Sequence, residues 1–265
     1  MKRWLATWVL MVALPWSAMA TNAPDPSASR KVLFIGNSIT YTNNLPSAFA
    51  ALVSGQRPGS TVSVDMYVKG AAALADFVRD ESLRSALRDN HYTDVIVQER
   101  GGNAICAATS SSDIGEACRA VVKAHEAISR MVRRSGATVY YLGTYQQSDT
   151  ANLLLVKGER RLADAMSARY IDIADGLTEV RQRHPDLPWI YDDGSHPGVA
   201  TVGFMAAQIY VAVFGSKPGA QEICMTDPLY HPYTTFDGMV HIGQNDKPRP
   251  RQCLLSEAEM RTVLN

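Results

Sequence analysis

The chain carries no run of lysine and arginine, and its charges cancel: 26 basic and 26 acidic residues in 265. A nucleic-acid surface needs a concentrated cationic stripe, so no nucleic-acid partner is expected. After residue 20 no apolar stretch is long enough to reach the ~20 residues a bilayer-spanning helix requires, so no membrane span is expected in the rest of the chain. Neither Gly-x-x-x-x-Gly-Lys-Ser/Thr nor Gly-x-Gly-x-x-Gly occurs, and the obvious nucleotide-binding loops go with them. No internal repeat of ~20–50 residues is present, so solenoids and propellers are out. Cysteine is scarce, with only Cys106, Cys118, Cys224 and Cys253. No pair has C-x-x-C spacing and no histidine stands beside one at zinc-ligand spacing, so no metal and no cofactor is expected.

What is present begins with an export signal. Lys2 and Arg3 form a basic start, Trp4 to Leu14 a short apolar core, and Ala18-Met-Ala20 a small-x-small cleavage site. Residues 1–20 are therefore expected to be a signal peptide, with residues 21–30, rich in Pro, Ser, Ala and Asn, a flexible leader. Removing Lys2 and Arg3 leaves 24 basic against 26 acidic residues, a net charge near −2. An exported chain with an even cysteine count favours disulfides. Order along the chain points to Cys106–Cys118 and Cys224–Cys253, although four cysteines allow three pairings.

From Lys31 onward, strand-like and helix-like segments alternate. Lys31-Val-Leu-Phe-Ile35 is a buried strand broken by Gly36 and followed by Ser38 and Thr40. Val62, Val64, Met66 and Val68 alternate as a second strand, ending in Lys69-Gly70-Ala-Ala-Ala-Leu74. Asp94–Gln98, Ala137–Leu142 and Tyr170–Ile173 read as three more, with helical spacing between them. Pro185 to Pro197 reads as a loop, Val199 to Phe214 as an apolar helix, and Ser256 to Leu264 as a short closing helix. This alternation predicts a three-layer α/β/α fold around a doubly wound, mainly parallel five-stranded sheet. The expected domain spans residues 31–216, with 217–265 as a C-terminal appendage packed on it and strapped by its disulfide.

Two separated stretches carry the chemistry. Ser38 leaves the first strand, where an open α/β sheet presents reactive groups; alone it reads equally as a helix N-cap. Asp193 and His196 are three residues apart in the last loop, so the carboxylate can hold the Nδ1 proton and leave Nε2 as a base for a serine. Together these stretches resemble the SGNH (GDSL-type) hydrolases. Gly36-Asn-Ser38 is similar to the family's first block, with Asn37 in place of Asp, and Gly70 sits at the second-block glycine. Gly101-Gly-Asn103 resembles the third block, although Ala104 replaces the usual Asp, and Asp193-Gly-Ser-His196 resembles the fourth. The resemblance runs from Lys31 to about Gly215.

It implies a doubly wound (SGNH/flavodoxin-like) fold and a serine hydrolase with catalytic residues Ser38, His196 and Asp193. It also implies an oxyanion hole from the N–H groups of Ser38 and Gly70 and the side-chain amide of Asn103, with Gln98 as the alternative amide. The implied substrate is a small-molecule or glycan carboxylic ester bearing a short acyl group such as acetyl, since no long apolar lid segment is visible. A lipase or lysophospholipase, or a non-catalytic binding protein on the same fold, are the alternatives. Tyr145 and Gln146 follow a strand exit on the same rim and are expected to contact substrate. Tyr230-His-Pro-Tyr233 is expected to pack the tail down, and His125, on a helix's apolar stripe, to be a core residue.

Overall fold

The computed structural model describes residues 29–109, 115–244 and 249–265. The expected signal peptide and most of the leader lie outside the described residues. In chain order the elements begin with β1 (Arg30–Gly36), the single turn α1 (Ser38–Tyr41), α2 (Leu45–Gln56) and β2 (Val62–Lys69). There follow α3 (Glu81–Asp89), β3 (Asp94–Gln98), α4 (Glu116–Arg134), β4 (Thr138–Leu142), α5 (Asp149–Met166), β5 (Arg169–Ile171), α6 (Ala174–Arg183) and α7 (Val199–Phe214). The tail supplies β6 (Ile223–Met225), β7 (Asp237–His241), β8 (Gln252–Leu255) and α8 (Glu257–Leu264). Short 3₁₀ turns cover Leu74–Phe77 and Asn103–Ala108.

The main sheet runs β5-β4-β3-β1-β2-β7. Its first five strands are parallel, as the alternating pattern predicts, and β7 joins antiparallel against β2. This sixth strand is not among the five expected, because its residues are half-buried or exposed and lack a clean apolar alternation. A separate two-stranded antiparallel pair, β6 and β8, carries the Cys224–Cys253 disulfide across it; Cys106–Cys118 is also formed. Both expected pairings are present.

Alternate residues of β1 feed opposite faces of the sheet, which is what period-2 geometry requires. Val32 and Phe34 pack with Phe49 of α2 and Met205 of α7 on one side. Leu33 and Ile35 pack with Leu83 of α3 and Ile128 of α4 on the other. Helices therefore cover both faces, and all five parallel strands point their C-terminal ends at one rim. Because β1 lies between β2 and β3, the strand order reverses at β1. The crevice beyond the C-terminal ends at such a reversal is where open α/β sheets bind ligands. One close approach shapes that rim: a Cβ on Gly158 of α5 would stand 1.8 Å from the Ala104 carbonyl oxygen, so only glycine lets the 103–108 turn seat there.

Candidate active site

Ser38 is the first residue of α1, and Asn37 caps that turn by accepting the Ile39 N–H on Oδ1 at 3.0 Å. The serine is thus not the cap; it is held just inside the helical turn, with its hydroxyl turned outward. Two further bonds fix this corner. Asn37 Nδ2 donates to the Ala72 carbonyl at 2.8 Å, and Gln98 Oε1 accepts from Thr40 Oγ1 at 2.9 Å and from the Asn37 N–H at 3.4 Å.

Asp193 and His196 sit on a tight turn between Ile190 and Pro197, which pair as an isolated antiparallel bridge. Gly194 lies inside that turn at φ +77°, a left-handed conformation that favours glycine. Asp193 Oδ1 accepts the N–H groups of Ser195 and His196, both at 3.0 Å. Its Oδ2 accepts from His196 Nδ1 at 2.6 Å, and Ser38 Oγ donates to His196 Nε2 at 2.8 Å. Partial burial pushes the Asp193 carboxyl up, but the His196 and Ser195 N–H groups and the His196 ring outweigh it and hold it at about 2. The result is a connected serine–imidazole–carboxylate chain with an ionised acid at its end, the arrangement that activates a hydroxyl nucleophile.

A cavity of about 690 Å³ opens at this chain and is lined by Ser38, His196, Gly70, Arg100, Gln146 and Tyr233, among others. Tyr145 and Gln146 line it, in keeping with their strand-exit position. The Tyr230–Phe236 segment has two roles. Tyr230 packs edge-on against Phe236 at 4.8 Å, while Pro232 and Tyr233 line the cavity; Tyr233 is 77 % exposed there. His125 is fully buried, as expected of a core residue.

The three residues expected as oxyanion donors besides Ser38 are placed differently from expectation. Gly70 lines the cavity, but its N–H donates to the Phe236 carbonyl at 3.1 Å, because the β2–β7 pairing continues past the strand end. Asn103 Nδ2 donates to Glu99 Oε1 at 3.1 Å, and Asn103 is not among the cavity residues. Gln98 turns its carbonyl oxygen toward the Ser38 corner and its Nε2 to the Glu99 carbonyl, so it braces the corner and presents no N–H to the cavity. The Ser38 and Ala71 N–H groups have no hydrogen-bond partner among the described residues. Ala71 lines the cavity at φ +55°, an uncommon conformation for a residue with a Cβ.

Glu99 is the residue that the sequence reading missed here. Its buried carboxylate accepts from the Arg100 N–H at 2.7 Å, from Asn103 Nδ2, and from the Leu74 N–H at 3.3 Å. It thereby ties together the segments after β2 and β3 that flank the cavity. Burial pushes its carboxyl up, against the opposing pull of those hydrogen bonds. The signal in the sequence was a Gln-Glu pair at the end of a buried strand.

No protein-family profile matches the chain, and no curated protein matches it. Solved structures do share its fold. Axe2, an acetylxylan esterase from Geobacillus stearothermophilus, superposes with a TM-score of 0.54 at 14 % identity, over 71 % of this chain and 96 % of that one. LAE5, an α/β hydrolase from the metagenome of Lake Arreo in Spain, gives 0.53 at 15 % identity, over 70 % and 95 %. A DUF4886 family protein from Bacteroides uniformis gives 0.54 at 14 % identity, over 71 % and 84 %. The expected α/β fold is the observed one.

Proposed function

We propose that the chain is an exported serine esterase of SGNH type that removes short acyl groups, acetyl above all, from carbohydrate or small-molecule esters. The observation that carries this reading is the Ser38–His196–Asp193 chain, at 2.8 and 2.6 Å, at the mouth of a cavity on the C-terminal rim of the sheet. His196 Nε2 takes the Ser38 proton as Oγ attacks the ester carbonyl. Asp193 holds the imidazole by Nδ1 and stabilises the imidazolium. The negative charge on the carbonyl oxygen is met by the N–H groups of Ser38 and Ala71, neither of which has a hydrogen-bond partner among the described residues. His196 then returns its proton to the leaving alcohol, and water repeats the cycle on the acyl-enzyme, releasing the carboxylic acid and regenerating Ser38.

Export is supported by the N-terminal signal pattern and by two disulfides. Among the described residues no helix is long and apolar enough to cross a membrane. An acetylated glycan is supported by the fold shared with an acetylxylan esterase and by the polar side chains of Arg100, Gln146 and Gln147 in the cavity wall. A second reading, a non-catalytic binding protein, is favoured by one observation: Gly70 N–H and Asn103 Nδ2 are both committed elsewhere. Hydrolysis of p-nitrophenyl acetate separates the two. Turnover by the purified protein, lost in Ser38→Ala, supports the esterase; no turnover by either protein supports the binding module.

A further inference from the structure

The cleft continues past the serine. Gln146 and Gln147 line both the cavity at Ser38 and a second one of about 450 Å³ further along the same rim. The second cavity is walled by the start of α5, with Asp149 and Asn152, by α6, with Thr178, Arg181 and Gln182, and by the apolar loop that follows α6, with Leu187 and Trp189. The partition between the two is braced from both sides. Asn152 Oδ1 accepts the Gln146 N–H at 2.5 Å while its Nδ2 donates to Thr178 Oγ1 at 3.3 Å. Gln147 Nε2 donates to the Gly194 carbonyl, on the turn that carries Asp193 and His196. The second cavity is thus fixed relative to the reacting groups.

Its chemistry narrows the occupant. One acid and one base leave these walls without net charge, so a polyanion finds no surplus cation. The Asn152 and Gln147 amides and the Thr178 hydroxyl are spent on the partition, and the side-chain amides of Gln146 and Gln182 supply the donors and acceptors that match sugar hydroxyls. An acyl chain would instead leave these polar groups unpaired against hydrocarbon. The Gln182 amide is exposed and has no hydrogen-bond partner among the described residues. We propose that this second cavity is a subsite for the sugar residues adjoining the acylated one. The substrate is then an uncharged O-acylated oligosaccharide or polymer lying across both cavities, an inference that rests on the serine-esterase reading.

The test uses the purified, disulfide-bonded protein with O-acetylated xylo- and cello-oligosaccharides of one to four residues. A parallel series uses p-nitrophenyl esters from acetyl to decanoyl. In at least one sugar series kcat/KM should rise roughly tenfold or more between one and three residues, mainly through KM, as expected for one or two added hydrogen bonds. Gln182→Ala, an exposed change on α6, should lower the ratio of kcat/KM on the trisaccharide to that on p-nitrophenyl acetate by roughly three- to tenfold. Hydrolysis of p-nitrophenyl acetate with flat response in both sugar series overturns the subsite and leaves the esterase standing. A rise from acetyl toward decanoyl esters overturns it as well, by making the occupant an acyl chain. Failure on every ester overturns the esterase reading beneath it.

Discussion

At the scale of single residues, the proposed mechanism separates groups that react from groups that hold. Ser38→Ala and His196→Ala should each abolish esterase activity with little change in thermal unfolding, since both side chains face the cavity. Asp193→Asn should keep the fold but misorient the His196 ring, lowering kcat by a factor on the order of 10⁴ by the serine-protease precedent. Full turnover by Ser38→Ala would remove the mechanism. The oxyanion assignments are separable too. With its Nδ2 held by Glu99, Asn103→Ala should cost less than about tenfold in kcat, where a true oxyanion amide costs roughly 10²–10³. Replacing the Ala71 N–H by an ester oxygen, through lactic acid at that position, should carry the larger loss; the same change at Gly70 should mainly lower the melting temperature. The opposite ranking would return the role to Gly70. Ser38, Asp193 and His196 were legible in sequence because each belongs to a short local motif whose spacing sets its geometry. Whether the Gly70 N–H is free was not legible, because it depends on a strand contributed by the distant Phe236–His241 segment.

At the scale of elements, the parallel strands announced themselves as apolar runs ending in Gly or polar residues, because burial on both faces demands such runs. The edge strand β7 and the short β6 and β8 gave no such signal: pairing and the disulfide define them, not hydrophobic pattern. Elements also meet through a buried charge that sequence pattern does not show. Glu159 of α5 accepts from the Thr144 N–H at 2.8 Å, from Thr144 Oγ1 and from the Tyr170 hydroxyl at 2.9 Å, joining α5 to the β4 exit and to β5. Burial pushes its carboxyl up to about 7, only partly opposed by these hydrogen bonds. In the unfolded chain the same group ionises near 4.5, so between those values the folded state binds more protons. Its contribution to stability is therefore fully present below about pH 4 and is lost as pH rises through 7, a change on the order of 3 kcal/mol. The melting temperature should fall from pH 4.5 to 8, and Glu159→Gln should flatten that slope. An unchanged slope in the variant would assign the pH dependence to other groups.

At the scale of the whole molecule, the tail beyond residue 217 completes the cleft. Its Phe236 carbonyl takes the Gly70 N–H, its Tyr230 carbonyl takes the Asn43 N–H at 3.0 Å, and its Pro232 carbonyl takes the Tyr41 hydroxyl at 2.9 Å. Pro232 and Tyr233 form part of the cavity wall. The Cys224–Cys253 bridge, spanning 29 residues of sequence, closes the loop that contains all of these contacts. In the loop-entropy account such a closure stabilises by ~3–4 kcal/mol, and for a domain of this size its loss lowers the melting temperature by roughly 10 °C. The loss should not be spread evenly. The β2–β7 pairing is the sheet's edge, so hydrogen exchange at Met239 and Val240 should accelerate before that at Ile96 or Val97 in the buried β3. A Cys224→Ser, Cys253→Ser double variant should therefore show faster exchange along β7, a lower melting temperature and a reduced kcat/KM on acetyl esters, because the same segment both walls the cavity and holds Gly70. Unchanged exchange along β7 in that variant would mean that the backbone contacts alone fix the tail, and the disulfide would lose its role in shaping the cleft.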